Sequence, residues 1–156
     1  LNITLQLADL EDATEIQAMQ VRAFAPLLAK YQDHDTSPAN ESVEGIERRI
    51  RQPQTDYYRI LEGEEAVGAI RIVRGEPAHR ISPLFVLPEY QGRGIAQQTF
   101  KLIEQLYPEV RYWELATVRE ERGNCHLYEK VGYTLKGEPE VVNERMTMVF
   151  YEKVIE

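Results

Sequence analysis

The stretch Leu84-Phe85-Val86-Leu87-Pro88-Glu89-Tyr90-Gln91-Gly92-Arg93-Gly94-Ile95-Ala96 constrains the fold of this chain more than any other. Ile81 to Leu87 is apolar nearly throughout, as expected of a central strand. Pro88 and two glycines mark a tight turn. Ile95, Thr99, Leu102 and Leu106 then recur on one face of a helix that reaches about Tyr107 and is stopped by Pro108. Strand, turn and helix N-terminus in that order bring unpaired amides, with the positive end of the helix dipole behind them, next to residues that lack side chains. Such a turn can cradle a pyrophosphate. The bare Gly-x-Gly fits equally well a turn that uses its glycines for geometry alone. It is not a P-loop, because no Gly-Lys-Ser/Thr is present, and it is not a Rossmann fingerprint, because the third glycine and the second βαβ half are missing.

The rest of the chain supplies the partners for this unit. Ile3 to Leu7 alternates as a half-buried strand. Asp9 suits the N-cap of a first helix carrying Ile16, Met19, Ala23 and Phe24, which Pro26 is expected to kink or end. Gln32 to Glu44 reads as a polar loop, and Val43, Ile46 and Ile50 as a short second helix ending near Pro53. Asp56–Leu61 and Ala66–Val73 read as strands joined at Gly63-Glu64-Glu65. Tyr112 to Val118 is a further strand, Asn124 to Lys130 a short helix ended by Gly132, and Tyr133–Leu135 and Met146–Val154 are the closing strands. The expected fold is mixed α/β: a central, mostly antiparallel sheet with helices on both faces.

At 156 residues the chain is expected to form one domain, residues 1–156, with no repeat or linker. Acidic residues outnumber basic ones, 26 to 18, for a formal charge of −8. That excess disfavours nucleic acid and anionic membrane as partners and favours cationic ones. No apolar run approaches the roughly 20 residues of a membrane span. The start Leu1-Asn2-Ile3, with acids close behind, does not read as a signal peptide. The single cysteine, Cys125, excludes an internal disulfide and a cysteine-rich zinc site. It suits a reducing, cytoplasmic compartment and reads as a small packing residue. His34 and His79 read as loop residues and His126 as a helix-surface residue. None has a metal-ligand partner at recognisable spacing, so no metal is expected.

Beyond the bare glycines, the segment resembles the acetyl-CoA signature of the Gcn5-related N-acetyltransferases (GNAT), Arg/Gln-x-x-Gly-x-Gly/Ala, which reads here as Gln91, Gly94 and Ala96. His126-Leu127-Tyr128-Glu129-Lys130-Val131-Gly132-Tyr133 is similar to a second family segment, and Met148-Val149-Phe150-Tyr151-Glu152-Lys153 to the family's last strand. The order of elements matches that fold from end to end, so the resemblance spans nearly the whole chain. It implies acetyl-CoA as co-substrate. Leu84, Phe85 and Val86 would offer a splayed strand edge to the pantetheine arm. Gln91, Gly92, Arg93, Gly94, Ile95, Ala96 and Gln97 would wrap the pyrophosphate. Arg93 would add charge there, or else be a solvated loop arginine.

The resemblance also implies that Tyr128 is the general acid, since acetyl transfer expels a thiolate and a nearby phenol can supply its proton. Packing within its helix is the structural alternative for this tyrosine. Asn124 lies one turn before Tyr128 and is either a cofactor contact or an N-cap. Many family members carry the contacting asparagine two turns before the tyrosine, where this chain has Glu121. Glu114 matches a base position in some members and otherwise reads as a solvent-facing acid.

In this fold the acceptor enters opposite the cofactor, between the first two helices, their loop and the last strands. Asp33, His34, Asp35 and Glu41 make that loop acidic, which favours a cationic amine. The implied activity is N-acetyl transfer to a primary amine, small or peptide-borne, by direct attack. The alternative is a non-catalytic acyl-CoA sensor or partner domain on the same fold. A homodimer through the last strands or a sheet edge is expected.

Overall fold

A computed structural model describes all of residues 1–156. Its strands are β1 (Ile3–Leu7), β2 (Thr55–Glu62), β3 (Glu65–Val73), β4 (Ala78–Val86), β5 (Tyr112–Val118), β6 (Thr134–Leu135), β7 (Glu140–Asn143) and β8 (Met146–Val154). Its helices are α1 (Ala13–Tyr31), α2 (Val43–Arg51), α3 (Ile95–Leu106) and α4 (Arg122–Lys130). The strands form one sheet in the order β1-β2-β3-β4-β5-β8-β6, with β7 also on β8. Every pairing is antiparallel except β4 with β5.

The sheet divides two cores, because alternate residues of a strand point to opposite faces. Ile70 and Ile72 of β3 join α3 (Ile95, Phe100, Ile103) and Tyr128 of α4 on one side. Ala69 of β3, Tyr57 of β2 and Phe85 of β4 join α1 (Ala13, Ile16, Met19) and Ile46 of α2 on the other. Helices therefore lie on both faces, as the element order implied.

Several elements depart from the sequence reading. Asp9 does cap, but it caps a short 3-10 turn, Leu10–Asp12, and the α-helix begins at Ala13. Pro26 does not end α1, which runs on to Tyr31. A proline removes one backbone bond of the ladder. Here the far end of the helix is held from outside: Asn143 Nδ2 donates to the Tyr31 carbonyl at 2.9 Å, and Arg145 reaches the Lys30 carbonyl at 3.4 Å. β4 starts at Ala78, not Ile81, so His79 lies in a strand and packs edge-on against Tyr107 and Trp113. The loop after α1 contains a 3-10 turn, Pro38–Asn40, capped by Ser37. β7 is an additional strand; Val141 in it is 73% exposed, so it shows no buried stripe from which a strand could be read.

One irregularity shapes the molecule's centre. Ile70 pairs with Leu84 but Ile72 pairs with Ile81, so β4 carries an extra residue around Ser82-Pro83. Such a bulge suits Pro83, which has no amide to give a ladder. β4 meets β5 only over Ala78–Arg80 against Tyr112–Glu114. Past that point the two strands separate, while β4 stays on β3 through Val86.

Candidate functional site

At the end of β4 the chain makes a 3-10 turn, Pro88–Tyr90, and then the glycine turn. Gln91 closes it: its side-chain Nε2 donates to the Val86 carbonyl at 3.0 Å. Gly92 and Gly94 have φ of +79° and +82°, a backbone that L side chains rarely adopt, and Gly94 is the N-cap of α3. The amides of Gly92 through Gln97 donate to no protein acceptor. They are the unpaired donors of a helix start, extended backwards by the turn.

A groove of about 570 Å³ runs along this turn, and Leu84, Phe85, Val86, Gln91, Gly92, Gly94, Ile95, Ala96 and Gln97 all line it. Its opposite wall is α4, through Asn124, Leu127 and Tyr128. Arg93 does not line it. It lies 3.8 Å from Glu62 and over the Tyr90 ring at 5.2 Å, half exposed. The free amides, the strand edge left unpaired by β5 and the groove between them fit the phosphates and the pantetheine arm of acetyl-CoA. The backbone from Gly92 to Gln97 would hold the phosphates and Leu84–Val86 would hold the arm.

On the other side of the split between β4 and β5 lies a second cavity of about 330 Å³. The 33–38 loop, the separated stretches of β4 and β5, and residues of β7 and β8 wall it. Phe24, Leu27, Leu84, Asn124 and Tyr128 line both spaces. The two cavities thus meet at Tyr128.

Tyr128 sits on α4 against Phe100, Tyr133 and Tyr151, with ring centroids 5.8, 6.5 and 6.1 Å away. Burial pushes its hydroxyl up to about 12, with the neighbouring Thr117 side chain pulling the other way. It is therefore a protonated phenol at neutral pH, held rigidly at the junction. Asn124 is not a cap, because α4 begins at Arg122; it lies within the first turn, exposed to both spaces.

Glu114, the matched base position, does not line this second cavity; Lys136 Nζ donates to it at 3.3 Å. The acidic loop is divided. Asp33 lines the cavity and its Oδ1 is buried without a hydrogen-bond partner. Asp35 and Glu41 line a neighbouring polar hollow, where Arg49 pairs with Glu41 at 2.5 Å. His34 lies outside both, and its ring is 3.0 Å from the Gln32 amide oxygen. The sequence reading gave Glu121 no role, although it noted the acid where an asparagine is usual. Glu121 lines the second cavity and accepts hydrogen bonds on Oε2 from the Tyr31 hydroxyl and, at 2.9 Å, from Lys30. Burial opposes its charge, but these two donors outweigh it and hold the carboxyl below its ordinary value.

No group of three or more His, Cys, Asp or Glu side chains is arranged to hold a metal ion, and no helix is long and apolar enough to cross a membrane.

Comparison with known proteins shows the family and the fold. The family model for the acetyltransferase (GNAT) domain matches residues 27–155. No curated protein matches the sequence. Many solved structures share the fold. An acetyltransferase from Thermus thermophilus superposes with a TM-score of 0.79 at 16% identity, over 99% of this chain and 98% of that one. Spermidine N-acetyltransferase from Vibrio cholerae, in complex with CoA and spermine, gives 0.77 at 15% identity, over 98% and 95%. A Salmonella typhimurium acetyltransferase that modifies the N-terminal serine of a 50S ribosomal subunit protein gives 0.78 at 18% identity, over 99% and 96%.

Proposed function

The chain belongs to the GNAT acetyltransferase family, and on that premise we propose that it transfers the acetyl group of acetyl-CoA to the primary amine of a cationic acceptor by direct attack. The observation that carries this reading is the meeting of two cavities at Tyr128, one lined by free amides and a strand edge, the other largely apolar with Asp33, Glu121 and Glu140 in its wall. Acetyl-CoA supplies the activated acyl group. Gly92 to Gln97 bind its phosphates through backbone amides, and Leu84–Val86 orient its arm so that the thioester faces Tyr128. The acceptor nitrogen enters from the second cavity and attacks as a neutral amine. Tyr128 gives its phenolic proton to the departing sulfur, which leaves as a thiol, while the nitrogen, made cationic by the attack, releases one proton to solvent to become the amide and the phenol is reprotonated from solvent.

A cavity of about 330 Å³ suits a small amine or the end of a longer chain. Asp33, Glu121 and Glu140 outnumber Arg80 among its charged lining residues, which supports a positively charged acceptor. Among proteins of similar fold, one is named for spermidine and another for a protein N-terminus, so acceptors of both sizes belong in the test. That test is CoA release from acetyl-CoA across a panel of diamines, polyamines, amino acids and peptides, with Tyr128→Phe alongside. Turnover on a cationic amine that collapses in Tyr128→Phe is expected. Tight acetyl-CoA binding with no turnover on any amine would overturn it in favour of an acyl-CoA sensor.

A further inference from the structure

We propose that Glu121 anchors a second positive charge on the acceptor, so that the site selects amines carrying two cationic centres. This deepens the acetyl-transfer reading and rests on it. Both hydrogen bonds to the Glu121 side chain fall on Oε2, from Tyr31 and Lys30; Oε1 has no protein partner and is not fully buried, and the residue lines the cavity. The side chain is therefore fixed at one oxygen and free to accept at the other. Tyr31 is buried and its own carbonyl is tied down by Asn143, so the donor that fixes Glu121 does not move.

Position then decides the role. Glu121 and Tyr128 stand seven residues apart at the start of α4 and within it, on the same side, with Cα atoms about 10 Å apart along the axis. The reacting nitrogen must lie at Tyr128, where the cavities meet, and must arrive there without charge. Glu121 lies at the N-terminal end of the helix in the same cavity as Tyr128, which places it to hold another cation on the same molecule. Asp33 lies in the same cavity with a buried, unpaired Oδ1, a second acceptor for N–H donors. Arg80 is the single basic residue lining the space, while Lys30, outside the lining, is ion-paired with Glu121 through Oε2 alone.

The test compares 1,6-diaminohexane with 6-amino-1-hexanol, which match in length but differ in the charge at the far end. kcat/KM for each is measured by CoA release, and diamine binding to the CoA-loaded protein is measured by calorimetry. The diamine is expected to be preferred at least tenfold, and Glu121→Gln is expected to reduce that preference at least tenfold and to weaken diamine binding. Glu121→Asp, which keeps the charge, is expected to restore part of both. A preference that Glu121→Gln leaves as it was, or the absence of diamine binding to wild-type protein, overturns the anchor. Diamine binding that depends on Glu121 but leads to no acetyl transfer overturns the acetyl-transfer reading and leaves the anchor standing. Circular dichroism confirms that each variant is folded.

Discussion

Arg71 Nη1 donates to the Ser82 carbonyl at 2.8 Å, pinning the bulge at which β4 parts from β5. Its Nη2 reaches the Gln52 side chain at 2.7 Å, and the residue is only 7% exposed. A buried guanidinium costs desolvation, which pulls its affinity for the proton down, with Arg49 adding repulsion. The position therefore matters for shape more than for net stability. The bulge lies where β4 leaves β5, between the second cavity and the strand edge of the candidate cofactor groove, so this hydrogen bond supports the shape of both.

Arg71→Met should therefore damage both fold and binding. It leaves the Ser82 carbonyl and the Gln52 side-chain oxygen without their donor, a loss of about 1–3 kcal/mol. Urea unfolding should show that loss, and calorimetric titration should show weaker acetyl-CoA binding. Wild-type affinity in a destabilised variant would mean that the bulge is held by other contacts.

The pH profile of acetyl transfer follows from Tyr128. As the proposed general acid, its hydroxyl, pushed up to about 12, can act only while protonated, that is, at pH below that value. The rate should rise with pH as the acceptor amine loses its proton, and should not turn down by pH 10, where an ordinary tyrosine would already be half ionised. Tyr128→Phe should lower kcat by roughly 10²–10⁴-fold while acetyl-CoA still binds. A rate that falls between pH 8 and 10 with Tyr128 intact would assign the proton to another group.

Most of the turn that forms the candidate cofactor groove was legible in the sequence, and the cavity opposite it was not. Gly92, Gly94 and the apolar run before them mark a turn whose chemistry is carried by backbone amides, and a local pattern suffices to find such a turn. Tyr128 came from its neighbours, Leu127 to Gly132, not from anything a lone tyrosine shows. Glu121 became visible only once the end of α1 brought Tyr31 and Lys30 onto it across about 90 residues of chain. The β4 bulge was hidden for the same reason: Arg71 and Ser82 meet only when β3 and β4 pair. Pro26 does not end α1, because its cost is local, whereas the contacts holding the end of the helix come from Asn143 and Arg145 at the β7–β8 turn.

Stability should fall steeply in alkali. Burial raises the hydroxyls of Tyr57, Tyr128 and Tyr133 above their ordinary value of 10. In the unfolded chain these groups lose their protons near pH 10, whereas the native protein retains them. The unfolded state then binds fewer protons, so the unfolding free energy declines as pH rises above 10, by about 1.4 kcal/mol per pH unit for each such tyrosine. For Tyr128 the window closes near 12. Urea midpoints between pH 9.5 and 11.5 should show the decline, and Tyr133→Phe, which cannot ionise, should make it shallower. An unchanged slope in that variant would place the loss elsewhere.

Gly68→Ala tests how closely β3 and β4 must approach beside the cofactor groove. Gly68 pairs with Val86, and a Cβ built on it would lie 2.2 Å from the Phe85 carbonyl oxygen and 3.1 Å from the Val86 Cα. Both obstacles are backbone, so neither can rotate away as a side chain would. Alanine must push β4 outward at Phe85 and Val86, which line the groove proposed to hold the pantetheine arm. Overpacking of this kind costs about 1–3 kcal/mol, and a thermal melt should register it. The more telling readout is KM for acetyl-CoA, which should rise while KM for the amine changes little, because the acceptor cavity lies on the far side of the split. Equal rises in both would mean that the strain spreads through β4 to the bulge and reshapes the two cavities together.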